Sequence, residues 1–201
     1  MTKILFLLLL ISVVSPAAAQ RWTVWYGINY SGNTNDPQLF YQWRLANAGV
    51  DYTFPMSRWD FTGGAGFNTK GADARVNYAQ IEGNVGYRFI DTPKGFRVSA
   101  FTGPCFGIRG ADDQGDKVPI YIIRETTSDE QIDSAICPTL FGWQAGLSMK
   151  LRFIALKIGY ERSLKSYWDP AFSEAIHMSN GKELLTTSIH HSLFIRLGFT
   201  F

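Results

Sequence analysis

A period of two, with apolar and polar residues held on opposite faces, limits what this chain can fold into more than any other feature. In the stretch 189–201, Ile189, His191, Leu193, Ile195, Leu197, Phe199 and Phe201 share one face, and His190, Ser192, Phe194, Arg196, Gly198 and Thr200 share the other. Side chains change face at every residue only in a strand. The apolar face is long and free of Asp, Glu, Lys and Arg, while the opposite face mixes small, polar and charged residues. Apolar-out and polar-in is the pattern of a strand in a closed barrel whose outside meets lipid.

The alternation recurs in the segments 22–32, 41–54, 58–68, 76–89, 96–108, 139–151 and 153–164. With 189–201 this predicts an all-β fold, an antiparallel up-and-down transmembrane barrel of about eight strands. Each segment is long enough to cross a bilayer when tilted. Pro104 falls inside the fifth segment, where a missing N–H normally argues against a strand. The connections after the second, fourth and sixth segments are short and the others longer, the longest near 110–136 and 165–188. Short periplasmic turns alternating with long outer loops is the rule for such barrels, so both chain ends are expected in the periplasm. Trp22, Tyr52, Phe54, Trp59, Phe61, Tyr87, Phe89, Phe96, Phe153, Phe199 and Phe201 fall on the outward face near the short-turn end, as an interfacial girdle would. Tyr30, Phe67, Phe141 and Tyr160 form a sparser one at the other end.

Inward parity collects charges of both signs: Asp51, Asp60, Glu82, Arg88, Arg97, Lys150, Lys157, Glu161 and Arg196. A lumen of about eight strands is just wide enough for side chains to fill it. Unpaired charges there are costly, so Glu82, Arg88, Arg97, Lys150, Lys157, Glu161 and Arg196 are expected to form a structural cluster that plugs the interior.

Ahead of the first strand, Lys3 is followed by an apolar run from Ile4 to Val14, Pro16 and Ala17-Ala18-Ala19. That is the layout of a secretory signal with an A-x-A site, predicting a signal peptide over 1–19 and a barrel domain over 20–201. No later run approaches the roughly 20 apolar residues of a spanning helix. Acidic and basic residues nearly balance, 17 against 19, which argues against nucleic acid as a partner. Cys105 and Cys137 are too few for a zinc or haem motif, and a secreted route permits a disulfide between them. Two free thiols is the other alternative. Asp112, Asp113 and Asp116 lack the spacing of a calcium loop, so no metal and no cofactor is expected.

The ending Leu197-Gly198-Phe199-Thr200-Phe201 resembles the terminal signature of Gram-negative outer-membrane barrels, with Phe199 and Phe201 as the assembly signal. Gly103-Pro104 and Tyr160-Glu161-Arg162-Ser163-Leu164 are similar to segments of the small outer-membrane barrel families, PorT-like and OmpX/OmpA-like. The resemblance implies a bacterial outer-membrane location, outer-membrane lipids around the wall and the barrel assembly machinery as a partner. In the PorT-like case it also implies an accessory part in a secretion system. His190-x-Ser192 resembles the His and Ser of an outer-membrane lipid A deacylase. That family turns the pair toward the membrane, whereas parity here turns both inward.

The expectation is therefore a non-enzymatic surface barrel. Within the loop 110–136, Val118-Pro119-Ile120-Tyr121-Ile122-Ile123 is a β-prone apolar run flanked by acidic residues. Ile120, Tyr121, Ile122 and Ile123 are its candidate contact residues, as a lid over the barrel mouth, as a protruding hairpin that extends the fifth strand, or as an edge offered to a protein partner.

Overall fold

The structure is a computed structural model and describes residues 21–33, 42–70, 76–110, 137–166 and 189–201. Eight strands follow one another: β1 (Trp22–Asn33), β2 (Gln42–Met56), β3 (Trp59–Lys70), β4 (Val76–Asp91), β5 (Phe96–Arg109), β6 (Thr139–Leu151), β7 (Ile154–Ser166) and β8 (Ile189–Thr200). Each pairs antiparallel with its neighbours in sequence, and β1 closes onto β8. The first and last strands have no free edge because Thr23 faces Thr200 and the register runs on to Asn33 against His190. Closure removes every unpaired sheet edge, which is what lets such a sheet lie in hydrocarbon.

The face assignment follows the alternation. Along β4 the buried positions are Val76, Tyr78, Gln80, Glu82, Asn84, Gly86 and Arg88, each separated by an exposed or half-exposed neighbour. Large apolar side chains are exposed on the outer wall, Phe67 at 69%, Ile81 at 60% and Phe199 at 59%, while Gln144, Glu161 and Arg196 are almost wholly enclosed. A water-soluble domain does the reverse. Val98, outward by register between Ile90 and Met149, is nonetheless buried.

The short-turn end is built from two tight turns and one slightly longer one. Met56 faces Trp59 and Leu151 faces Ile154, so Ser57-Arg58 and Arg152-Phe153 are two-residue connections. Ser57 and Arg152 each have φ in the left-handed region, at 55° and 53°. A non-glycine residue is uncommon there. Ser57 is held by its carbonyl, which accepts from Arg88 of β4. The Arg152 turn is tied to its neighbour by Arg152 N–H donating to Gly95 O at 3.1 Å. Phe153, expected as the first residue of a strand, lies in this turn.

Pro104 sits in β5 without displacing it. The β4–β5 ladder runs through Glu82 facing Cys105 and resumes at Val85 facing Thr102 in the same register, leaving Gly103-Pro104 outside the paired set. The missing N–H of Pro104 is thereby accommodated by a local opening of the ladder. At Gly103 a Cβ would lie 1.8 Å from the carbonyl oxygen of Gly83, so only glycine permits this approach.

Several strands run past their expected ends, β2 to Met56 and β7 to Ser166 among them. β3 continues past Asn68 to Lys70, and its last residues turn into the barrel: the Thr69 amide donates to Asn47 Oδ1 at 2.7 Å and its carbonyl accepts from Asn29 Nδ2 at 3.2 Å. β4 continues to Asp91 through a register shift between Arg88 and Ile90. Of the two alternatives open for the cysteines, the structure has free thiols at Cys105 and Cys137 and no disulfide. Register gives the reason. Cys105 faces Gly142, whereas Cys137 lies two residues before β6, next to Pro138, whose carbonyl accepts from Arg109 N–H; five residues of extended chain part them, about 16 Å against the roughly 7 Å limit for bridged Cα atoms.

Candidate functional site: the lumen and the loop-end wall

Inward side chains fill the lumen in three charge groups, not in one cluster as expected. Nearest the short turns, Arg88 Nε lies 3.3 Å from Asp60 and its Nη1 donates to Asp91 at 2.6 Å, while Arg97 Nε donates to the other oxygen of Asp91 at 3.0 Å. Lys150 belongs to this end. Arg88, Arg97 and Lys150 are thus parted from Glu82 and serve to fasten the turns to the wall.

The middle group crosses the lumen. Arg196 Nη1 of β8 donates to both carboxylate oxygens of Glu82 on β4, at 2.7 and 2.9 Å, and Lys157 Nζ of β7 reaches Glu82 at 2.6 Å and Asp51 at 3.6 Å. Two acids and two bases balance. Trp25 Nε1 donates to Asp51 at 2.8 Å. The Arg196 guanidinium carbon lies 4.2 Å from the Trp25 ring centroid and 4.4 Å from that of Phe194. Lys157 stands 4.7 Å over Phe101. Aromatic faces offer the cations a second attraction where water is scarce. Trp25 lies so close to the wall that a Cβ on Gly49 would meet its Cζ2 at 2.4 Å.

Toward the long loops a third group pairs Lys70, from the inturned end of β3, with Glu161 on the far wall. Gln80 Nε2 donates to Glu161 at 3.3 Å. Both members of the pair are buried, as are Tyr78 and His190 around them. Breaking such a pair leaves a charge without compensation, so it fixes β3 against β7. His190 and Ser192 are inward and buried, and Ser192 Oγ lies 3.1 Å from Ser31 Oγ. Both therefore face the lumen and not the membrane side.

Between the first and middle groups lies a cavity of about 110 Å³, bordered by Thr53, Asp60, Ser99 and Lys150 on one side and by Lys157 and Arg196 on the other. Its lining mixes charged, hydroxyl and aromatic side chains, and it has room for several waters. No group of His, Cys, Asp and Glu that could hold a metal ion occurs among the described residues.

Sequence parity placed Glu82, Lys157, Glu161 and Arg196 on the inner face, and the structure brings them into ion pairs. It missed Lys70, because the segment was ended at Asn68, and it gave Trp25 and Phe194 no role. The cue was available: an aromatic on an otherwise polar face needs a partner, and Arg196 shares that face. Phe199 is exposed on the outer wall and Phe201 N–H donates to Trp22 O at 2.9 Å, tying the final residue to β1. Ile120, Tyr121, Ile122 and Ile123 lie outside the described residues.

The sequence matches no protein-family model and no curated protein sequence. Solved structures with a similar chain path include three. The N-terminal β-barrel domain of Pseudomonas aeruginosa OprF is 12% identical, with a TM-score of 0.41 over 91% of this chain and 99% of that one. Ail, the attachment invasion locus protein of Yersinia pestis, in complex with the heparin analogue sucrose octasulfate, is 13% identical, with a TM-score of 0.41 over 90% and 98%. Neisserial surface protein A is 11% identical, with a TM-score of 0.43 over 90% and 97%.

Proposed function

We propose that the chain is an integral outer-membrane barrel with a closed polar interior, that it has no catalytic activity, and that it works through its longer loops. One observation carries the membrane part: the outward wall is apolar over most of its extent, with Arg162 near its long-loop end as the charged exception, while the paired charges are inside. Between strand bounds the connections at one end span two to four residues and those at the other five or more, which supports periplasmic chain ends and outward-facing loops. The closed interior is supported by the Glu82–Arg196–Lys157–Asp51 group, which joins β2, β4, β7 and β8 across the lumen. Opening a solute path would require breaking ion pairs that have little water to replace them. Ile120 to Ile123 provide the contact with a protein partner.

Purified protein reconstituted in planar bilayers should show no sustained conductance steps, whereas steady porin-like steps would reject the closed interior. Replacing residues 120–123 with Gly and Ser should leave heat-modifiable gel migration intact and abolish cross-links from that loop to a partner. Mass spectrometry of lipid A from cells with and without the gene should show the same acylation; a Ser192-dependent loss of an acyl chain would restore the enzyme alternative.

A further inference from the structure

Along the outward faces of the eight strands, Arg162 is the only Asp, Glu, Lys or Arg side chain among the described residues. It is exposed on β7 close to the long-loop end, and its side chain has no ion-pair or hydrogen-bond partner among the described residues. A lone cation on a lipid-facing wall is costly at the bilayer midplane and nearly free of cost near the interface. Its level in the wall is therefore informative, and cross-strand register fixes it. Trp143, Arg162, His191 and Gly32 form one row across β6, β7, β8 and β1. The row just below, toward the barrel middle, is Ala145, Tyr160, Leu193 and Tyr30. Below that come Leu147, Ile158, Ile195 and Ile28. Tyr30 packs on Trp43 at 4.8 Å between centroids. Indole and phenol side chains of this kind settle at headgroup depth, so Arg162 stands at that depth with an apolar wall beneath it.

The neighbours shape the spot. The Tyr160 hydroxyl and His191 Nδ1 are bonded to each other, with ring centroids 5.7 Å apart, which holds a flat edge on one side of Arg162. On the other side Trp143 is anchored by Nε1 donating to Thr102 Oγ1 at 2.7 Å. Gly32 has no side chain to fill the place beyond His191.

The geometry points to a lipid-phosphate site at Arg162, occupied by a phosphorylated glycolipid of the lipid A class in the outer leaflet. The inference rests on the outer-membrane reading given above. A guanidinium binds a phosphate with two parallel hydrogen bonds. The apolar rows beneath would take acyl chains, a feature that suits a lipid and does nothing for a free anion.

The test uses folded wild-type protein in nonionic detergent, titrated with bisphosphorylated lipid A and followed by native mass spectrometry. Heat-modifiable migration and insertion into phosphatidylcholine vesicles serve as the control. A one-to-one adduct is expected, weakened about tenfold by Arg162→Gln, the equivalent of about 1.4 kcal/mol, through loss of a charge-assisted hydrogen bond. Enzymatic removal of the lipid phosphates should have the same effect. A barrel that inserts but binds lipid A equally well with and without Arg162 overturns the site alone. Phosphatidylglycerol binding as tightly as lipid A overturns the glycolipid assignment, and competition by millimolar inorganic phosphate overturns the lipid assignment. Failure of the wild type to insert would reject the outer-membrane reading and this site with it.

Discussion

Replacing Glu82 with Leu should cost more stability than any other single change in the lumen. Glu82 receives three short contacts, from Arg196 at 2.7 and 2.9 Å and from Lys157 at 2.6 Å, and Asn84 Nδ2 adds a fourth at 3.3 Å. With Glu82 gone, two cations share Asp51, which stands 3.6 Å from Lys157 and already accepts from Trp25. Removing one member of a buried pair costs about 3–5 kcal/mol, mostly from the charge left behind. Removing both members restores the balance. Glu82→Leu with Arg196→Met leaves Lys157 and Asp51 matched, and should return to within roughly 1–2 kcal/mol of wild type. Urea titration in phospholipid vesicles, followed by tryptophan fluorescence, reads both values, because Trp25 lies against Arg196. If Glu82→Leu loses less than about 1 kcal/mol, or the double variant loses as much as the two single variants added together, then charge balance is not what holds the middle of the barrel.

Gly103→Ala should prevent formation of the native wall or loosen it by several kcal/mol, on the order of the worst core substitutions, because its Cβ would stand 1.8 Å from Gly83 O; equal urea midpoints would contradict this. Trp25→Phe keeps a ring against Arg196 but removes the bond to Asp51, with an expected loss of about 1–2 kcal/mol in the same assay. The mature protein should begin at Gln20, which an intact mass of outer-membrane material retaining residues 1–19 would disprove. Phe201→Asp should lower the yield of heat-modifiable barrel more than Thr200→Asp, and equal yields would remove the assembly-signal role from Phe201.

Parity was the legible part of the fold. Once the faces were separated, strand number, the inward set and the outward girdles followed, because each strand has only two faces and lipid tolerates only one kind of side chain on the outer one. What parity cannot supply is depth. Whether Arg97 meets Glu82 or Asp91 depends on stagger between strands, and the shift between Arg88 and Ile90 is one of the irregularities that set it. The same gap hid Lys70, whose pairing with Glu161 exists because Asn29 and Asn47 capture the Thr69 peptide and bend the end of β3 inward. Arg152 was hard to read for another reason. Its left-handed backbone is set by closure of β6 onto β7 and by the bond to Gly95, and no local turn residue announces it.

The central claim, an apolar wall against lipid around a polar interior, is tested most directly along β8. With Cys105 and Cys137 replaced by Ser, single spin labels are placed by Leu193→Cys, Phe194→Cys, Ile195→Cys, Arg196→Cys, Leu197→Cys and Gly198→Cys in protein reconstituted into phospholipid vesicles. Collision with lipid-soluble oxygen should be high at 193, 195 and 197 and low at 194, 196 and 198, following the exposure seen in the structure. Labels at 193, 195 and 197 that collide with a water-soluble nickel chelate instead of with oxygen would contradict the account.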